Sequence, residues 1–529
     1  MTPQDSPPDT NAQKALQDHI SNFRRREVYA AQFLSFLKRS EVGLWRVERA
    51  THRGQYWLHI TLPKHHQDIF DLHREILVLY TEYEHVEPRA LSNVQKRVRS
   101  DMRVEGDVAM LVSRDPRAKS MASRQAGELA VIPINLDDIA THPDKLLYSH
   151  IADSVASVDH YNVSTPIRDS KNLFGRRDEI DSIANILKDS RSVGIFGLRK
   201  AGKTSLLNAI EAIRSDDPEL ATAKIDLSGV VSAEQFRSEI LESVWESLKG
   251  PAGTTLMKSK FSTLARTGLR RKDIHDSSTH WTRDLRSLIS LSPKPVLLII
   301  DEIDQSYPPR SNLEPNEARL LYQSLVQLRS ILQEQDRLVL LAAGVDPALF
   351  EQPIIDARDN LLYKLVHLHW LAPLDREEMA KMVRSLGRRM GVRIRSHTVI
   401  DALFESFGGH PLLTRKACSL AVKSRSSQHL PFHLDEEHLR EALDSQEYSG
   451  PRDESVDLLL SFREWHPAEM SFLELVFSSD AEERELGISL LEESPNSIAH
   501  AIAYGLCFDD GSARIHFAMD QIGSLRDAR

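Results

Sequence analysis

The sequence predicts an α/β protein built on a doubly wound parallel sheet, and three observations carry that prediction. The apolar stretch "SVGIF" runs into a glycine-bounded loop, Gly197 to Thr204, and leaves it as the amphipathic "TSLLNAIEAI". About a hundred residues on, "PVLLIIDE" is a continuous apolar run that ends in two acids. Such runs belong to strands covered on both faces, as in parallel sheets. Between and after them, strand-like "AKIDLSG", "RLVLLAAG" and "LVHLHWL" alternate with helix-like "SAEQFRSEILESVWESL" and "NEARLLYQSLVQLRSILQ", which is a βαβ series. In the first of those helices, Ser232 and Gln235 have the spacing of a capping box.

The remaining elements follow in order. "DSPPDTNAQK" opens a polar stretch, so residues 1–22 read as a disordered tail. A helical pattern over Ser21–Arg39 carries Phe23, Tyr29, Phe33 and Phe36. "GLWRVERA" and "QYWLHITLP" read as strands around a polar turn at Arg53-Gly54. "EILVLY", "PRALSNVQKRVRSD", "DVAMLVS" and "LAVIPI" then alternate strand and helix, predicting a small α/β domain over residues 23–140. Residues 141–169 are a polar linker. In "LFGRRDEIDSIANIL", Ile180, Ile183, Ile186 and Leu187 share one helical face, and after Pro373 the pattern is helical throughout.

At 529 residues the chain is too long for one hydrophobic core, so several domains are expected. With 27% charged and 41% apolar residues it reads as an ordinary globular protein. No apolar run approaches the roughly 20 residues that span a bilayer, and the start has no signal-peptide pattern, so a cytoplasmic protein is expected. Cys418 and Cys507 are the only cysteines, too few for a disulfide framework or a thiolate zinc cage. The net charge is −10, and residues 450–529 alone carry 16 acids against 6 arginines and no lysine. A polyanion would be repelled there.

The loop Gly197-Leu198-Arg199-Lys200-Ala201-Gly202-Lys203-Thr204 fits G-x-x-x-x-G-K-[ST], the phosphate-binding pattern known as Walker A. Glycines let backbone N–H groups curl around phosphate oxygens at the positive start of a helix. Lys203 supplies a charge to the β- and γ-phosphates, Thr204 a hydroxyl to Mg²⁺, and Ser205 completes the first turn. Asp301, ending the buried "VLLIID" run as a Walker B acid does, is the second candidate Mg²⁺ ligand, and Glu302 is placed to polarise an attacking water. The cofactors expected are ATP and Mg²⁺.

These residues resemble the AAA+ and STAND P-loop ATPases. "NLFGRRDEIDSI" is similar to their opening motif, which implies that Phe174 packs near the adenine. "GGHPLLTRKAC" resembles the Gly-x-Pro motif of STAND and origin-recognition-type ATPases; the resemblance implies that Gly409, His410 and Pro411 report nucleotide state, and that Arg415 acts as a sensor-2 arginine. Arg358 stands where AAA+ proteins keep an arginine finger directed at a neighbouring subunit, and so implies an ATP-dependent homo-oligomer. The resemblance divides residues 170–529 into an ATPase core (170–374), a helical lid (375–430) and a winged helix (431–529). For the last, "SFLELVFSS", "EERELGISLLEE" and "SPNSIAHAIAYGL" supply helices and "LCFDDGSARIHFA" a hairpin. One departure stands out: Ala342-Ala343-Gly344 replaces the polar sensor-1 position.

The implied function is a regulatory switch that couples nucleotide state to residues 23–140 and to an unknown protein partner, by family analogy in bacterial stress response or defence. Two alternatives stand beside it. One is a DNA-binding loader of the origin-recognition type, using the basic stretch 258–272; nucleic acid is disfavoured because "SPNSIAHAIAYGL" has no Lys or Arg. The other is a P-loop scaffold that binds ATP without hydrolysing it. In the N-terminal domain, Glu75 and Asp107 flank strands as in PD-(D/E)xK nucleases, but no E-x-K follows. "LVSRDP" also admits a TIR-like reading, and a noncatalytic docking module is the expectation. His52, His59, His65, His66 and His73 lack zinc-site spacing and read as core or solvated residues.

Overall fold

Alternating buried strands and amphipathic helices run along the chain and form two separate five-stranded sheets. The computed structural model describes residues 10–70, 72–124, 129–141, 146–162, 166–167, 173–215, 220–247, 280–292, 294–334, 336–423, 430–444, 450–508 and 511–522. The basic stretch 258–272 lies outside them. The chain divides into one unit of Met1–Val163, Ala380–Ala402 and Arg415–Tyr448, and another of Ser164–Met379, Leu403–Thr414 and Ser449–Arg529. Among the described residues no helix is long and apolar enough to cross a membrane.

The first unit carries β1 (Gly43–Arg49), β2 (Gln55–Thr61), β3 (Glu75–Thr81), β4 (Val104–Ser113) and β5 (Ala130–Asn135) in sequential order. β1, β2 and β3 pair antiparallel, whereas β3, β4 and β5 pair parallel. The change of sense follows from the connections. A tight turn at Gly54 reverses the chain between β1 and β2, while the helices Pro88–Ser100 and Ala118–Arg124 carry it back for each parallel strand. One face buries Leu77, Leu79 and Leu111 against Val94 and Val98 of the helix Pro88–Ser100. Elsewhere in this unit, Phe23 and Phe33 pack on Tyr80.

The sequence reads one helix over Ser21–Arg39 behind a tail. The structure has two helices, Thr10–Arg26 and Ala30–Arg39. The Glu82 carboxylate breaks them apart by accepting from the backbone N–H of Val28 (3.1 Å) and Tyr29 (2.6 Å). Of the five histidines, His59 is buried and bonded through Nδ1 to Glu75 Oε2 at 2.8 Å, so that acid is engaged structurally. His66 is buried, and burial pulls its imidazole down to about 4, which leaves it neutral.

The second unit holds β6 (Val193–Phe196), β7 (Ala221–Asp226), β8 (Val296–Asp301), β9 (Leu338–Gly344) and β10 (His367–Trp370). They lie in the order β10-β6-β9-β8-β7, all parallel. β6, β8 and β9 are buried at every residue, as continuous apolar runs require. Phe236 and Ile240 of the helix Ala233–Ser247, Trp281 and Leu285 of His280–Leu291, and Leu321 and Leu328 of Pro315–Glu334 share one core with β8. The cap at Ser232 forms: its Oγ accepts from Gln235 N at 3.2 Å, and Gln235 Oε1 reaches back to Val231 N at 3.0 Å.

The same unit includes helices Gly450–Trp465, Pro467–Val476 and Ala481–Glu493, then Ala499–Ala503. Among the described residues the expected hairpin shows one bridge, Cys507 to Ala513, and the chain turns helical again at His516–Met519. Phe236 is fully buried in the second core, so Phe236→Ala removes both buried area and packing. It is expected to lower stability by about 3–5 kcal/mol, read as a lower midpoint at unchanged slope in urea.

Candidate functional site

The loop between β6 and the helix Lys203–Ser215 takes the form its glycines permit. Lys200 (φ 61°) and Gly202 (φ 105°) both adopt positive φ, which turns successive N–H groups toward one side. Lys203, at the first helical position, is buried, and its Nζ donates to the carbonyls of Gly197 (2.9 Å) and Leu198 (3.0 Å). Burial pulls its ammonium below the usual range, against the pull of Glu302, Asp304 and Asp301. Ser205 Oγ accepts from Ile167 N at 2.9 Å, which pins the segment leading into this unit. Ala201 and Leu198 are buried, while Arg199 and Lys200 are exposed.

β8 delivers the acids. Thr204 Oγ1 donates to Asp301 Oδ2 at 2.9 Å, so the two candidate Mg²⁺ ligands sit side by side. Burial raises the Asp301 carboxyl, and the bond from Thr204 opposes that. Asp301 Oδ1 also accepts from Glu302 N at 3.0 Å. Glu302 is held in the left-handed region (φ 54°), a conformation that costs a non-glycine residue about 1 kcal/mol. Strain of this kind collects where a side chain must be aimed. Burial first, then Asp301 and Asp226, raise the Glu302 carboxyl, and Lys203 lowers it. A raised carboxylate is the better proton acceptor.

The structure accounts for the departure at sensor 1. β9 lies between β6 and β8, so its end points between loop and acids. There the buried Asp304 accepts from Val345 N at 2.7 Å through Oδ1, and a Cβ on Gly344 would overlap that oxygen. The polar group at this place comes from the acid run, and glycine makes room for it.

Arg176 Nη2, His369 Nε2 and His410 Nε2 are buried and make no hydrogen bond within the protein, and His410 is within electrostatic reach of Lys203. Arg176 is ion-paired to Glu179 at 2.6 Å and acts electrostatically on both histidines. Burial, then Arg176, pulls His410 down to about 4, so it is neutral. Buried donors without partners are rare and fit an anionic, hydrogen-bonding group, as a nucleotide is. Gly409 (φ 78°) has no room for a Cβ, which would overlap Leu374 O. Arg514 clasps this corner, donating to Gly408 O (3.2 Å) and Pro373 O (3.2 Å). Lys200 of the loop is paired with Glu454 at 2.6 Å.

The sequence candidates divide accordingly. Gly197 to Ser205, Asp301 and Glu302 come together. Phe174 is half-buried in the turn before Arg176, and Pro411 opens the helix Pro411–Ala421. Arg415 belongs to the other unit, where its buried guanidinium donates to the carbonyls of Tyr161 (3.2 Å) and His160 (2.7 Å). Arg358 is exposed on a two-residue hairpin, Ile354–Ile355 with Arg358–Asp359. Sequence reasoning missed Arg176, Asp304 and Arg514. Arg176 had a signal, since it stands in the quoted "FGRR".

A model of the family described as novel STAND NTPase 1 matches residues 166–431. No curated protein matches the chain. Among solved structures, the chain is similar to a Walker-type ATPase of Pyrococcus abyssi at 12% identity, over 69% of this chain and 99% of that one, with a TM-score of 0.46. The ORC2 protein of Aeropyrum pernix in its ADPNP–ADP complexes matches at 14% identity, over 70% and 98%, with a TM-score of 0.37.

Asp304 sets a pH dependence. Burial, then Glu302, pushes its carboxyl up to about 6 in the folded chain, against an ordinary value of about 3.9. Between those limits the folded state keeps a proton that the unfolded state has released, so stability falls as pH rises from about 4 to about 6. Asp304→Asn keeps an acceptor for Val345 N but cannot ionise. Without nucleotide, it is expected to be more stable than the parent by about 2–3 kcal/mol at pH 7 and equal to it below pH 4, as urea titrations at the two pH values will read.

Proposed function

The chain belongs to the novel STAND NTPase 1 family, and on that premise we propose that it is an ATP-dependent regulatory switch that binds and hydrolyses ATP with Mg²⁺. The observation that carries this reading is the contact of Thr204 with Asp301, beside the buried Lys203. It joins the two halves of a phosphate and metal site from segments 97 residues apart. In the proposal, Thr204 and Asp301 hold Mg²⁺, Lys203 and the loop N–H groups hold the phosphates, and Glu302 takes the proton of the attacking water. Arg176, His369 and His410 offer the remaining donors. Mg²⁺ supplies charge neutralisation on the phosphate oxygens.

The switching part of the proposal rests on two contacts within the nucleotide-binding unit. Lys200, in the phosphate loop, is paired with Glu454 of the helix Gly450–Trp465. Arg514, from the C-terminal segment, bonds the Gly408 and Pro373 carbonyls next to the Gly-x-Pro motif. Phosphates drawn into the loop compete for Lys200, so nucleotide state changes a contact made by the C-terminal helices. The residues 431–529 are proposed as the reporting domain, 375–430 as the lid, and 23–140 as the module controlled, with a protein partner and a cytoplasmic, oligomeric setting. A protein-directed role is favoured over DNA loading because "SPNSIAHAIAYGL", which contains the helix Ala499–Ala503, has no Lys or Arg.

Lys203→Ala is expected to weaken ATP binding by at least tenfold in calorimetry; unchanged affinity would remove the loop from the site. Glu302→Gln is expected to retain ATP but lose about 10²-fold or more in kcat, and an undiminished rate would assign the base elsewhere. For the switch, Glu454→Gln is expected to change the release rate of fluorescent ADP severalfold. An identical rate would mean that the C-terminal helices do not sense the loop.

A further inference from the structure

Beyond the nucleotide site, the second unit contains a compact group of imidazoles and carboxylates. His466 stands at the N-cap position of the helix Pro467–Val476, and Glu469 lies in its first turn. His500 stands on the helix Ala499–Ala503. One ligand atom from each of the three lies within 4.8 Å of the others. Glu469 Oε1 is 2.6 Å from His500 Nδ1 and 4.0 Å from His466 Nδ1, and the two rings stack at 4.1 Å between centroids. Donors about 2.0–2.2 Å from a tetrahedral zinc ion are about 3.3–3.5 Å apart. The two separations from Glu469 Oε1 bracket that spacing.

The outer nitrogens decide the reading. His500 Nε2 bonds Glu351 Oε2 at 3.0 Å, and His466 Nε2 pairs with Asp346 Oδ2 at 2.6 Å. Each histidine thus turns Nδ1 to the common centre and Nε2 to a carboxylate, as zinc-bound histidines are usually oriented. Tyr504 Oη, 3.0 Å from Asp346 Oδ2, fixes that acid in turn. Three carboxylates surround two imidazoles in a half-buried place; each nitrogen of His500 meets a carboxylate, and a zinc ion would take the place of the Nδ1 proton it gives to Glu469. His500 is 27% exposed, which leaves an approach for an ion and room for water as a fourth ligand.

We propose that His466, Glu469 and His500 form a zinc site, oriented by Asp346 and Glu351. Two imidazoles and one carboxylate suit Zn²⁺, whereas Mg²⁺ prefers oxygen ligands and keeps its waters. Magnesium that accompanies ATP therefore does not compete. The three ligands lie in the C-terminal helices, while the two orienting acids follow β9, whose neighbour Val345 N holds Asp304. Zinc fastens those helices to the strand end beside the Walker acids. The site needs no nucleotide and stands or falls independently of the ATPase reading.

The test uses the full chain, stripped with a chelator and titrated with Zn²⁺ against a chromophoric chelator, and with Co²⁺ followed by its visible absorption. One equivalent is expected to bind with a dissociation constant of about a micromolar or tighter. His500→Ala and Glu469→Gln, each checked for native circular dichroism, are expected to weaken it at least 100-fold. Glu351→Gln should weaken it about 10–100-fold, which a purely structural acid would not do. Lys203→Ala should leave it unchanged. Absence of a bound equivalent at micromolar zinc, or binding that survives all three cluster substitutions, overturns the proposal and leaves an ion-pair cluster.

Discussion

The buried ammonium of Lys203 and the three carboxylates it faces are the charge balance on which the nucleotide-binding unit depends. Asp301, Glu302 and Asp304 follow one another off the end of β8, and each is raised by burial. Such a concentration of acid beside a hydrophobic sheet is tolerable only because Lys203 and backbone N–H groups answer it. The constraint runs outward. Gly344 must be glycine because Asp304 fills the adjoining space, and Glu302 adopts a left-handed backbone beside its neighbour. The loop before Lys203 must curl because the helix starts where the amine is needed.

Sheet order turns this local balance into a site. β6 brings the loop, β8 brings the acids, and β9 between them brings Val345 N to Asp304. Parallel strands end on the same side, so three distant segments meet at one edge. Arg176, His369 and His410 of the same unit carry buried nitrogens with no hydrogen-bond partner. Arg514 and Glu454 tie the site to the C-terminal segment of the same unit.

What could be read beforehand is what local chemistry encodes. The meeting of the glycine-bounded loop with the acid pair was legible because each is a short pattern whose glycines and strand-end carboxylates have backbone reasons. The strands of both sheets were legible from apolar runs, and the cap at Ser232 from its spacing. Features needing a distant partner were not. The break at Val28 and Tyr29 depends on Glu82, 53 residues past Tyr29. Arg415 looks in sequence like any lid arginine, yet its guanidinium is engaged by carbonyls about 255 positions earlier. The role of Asp304 could not be separated from that of the acids before it without the position of Gly344. His466 and His500 are 34 positions apart in a segment that reads as acidic helices, and only the fold stacks their rings.

The interleaved strand order also governs the vectorial emergence of this chain from a ribosome. β6 pairs with β9 and β10 and with no other strand. A nascent chain that has produced the phosphate loop must therefore wait until residue 344 for its first lateral partner, and until residue 370 for its second. Once residue 301 has emerged, β7 and β8 are both available to pair, and the edge of β8 that β9 later covers is still open. Non-local parallel pairing is slow and leaves sticky edges exposed. The arrangement that seats three segments at one edge thus makes translation of the intervening stretch the interval of greatest exposure to chaperones and to misassembly.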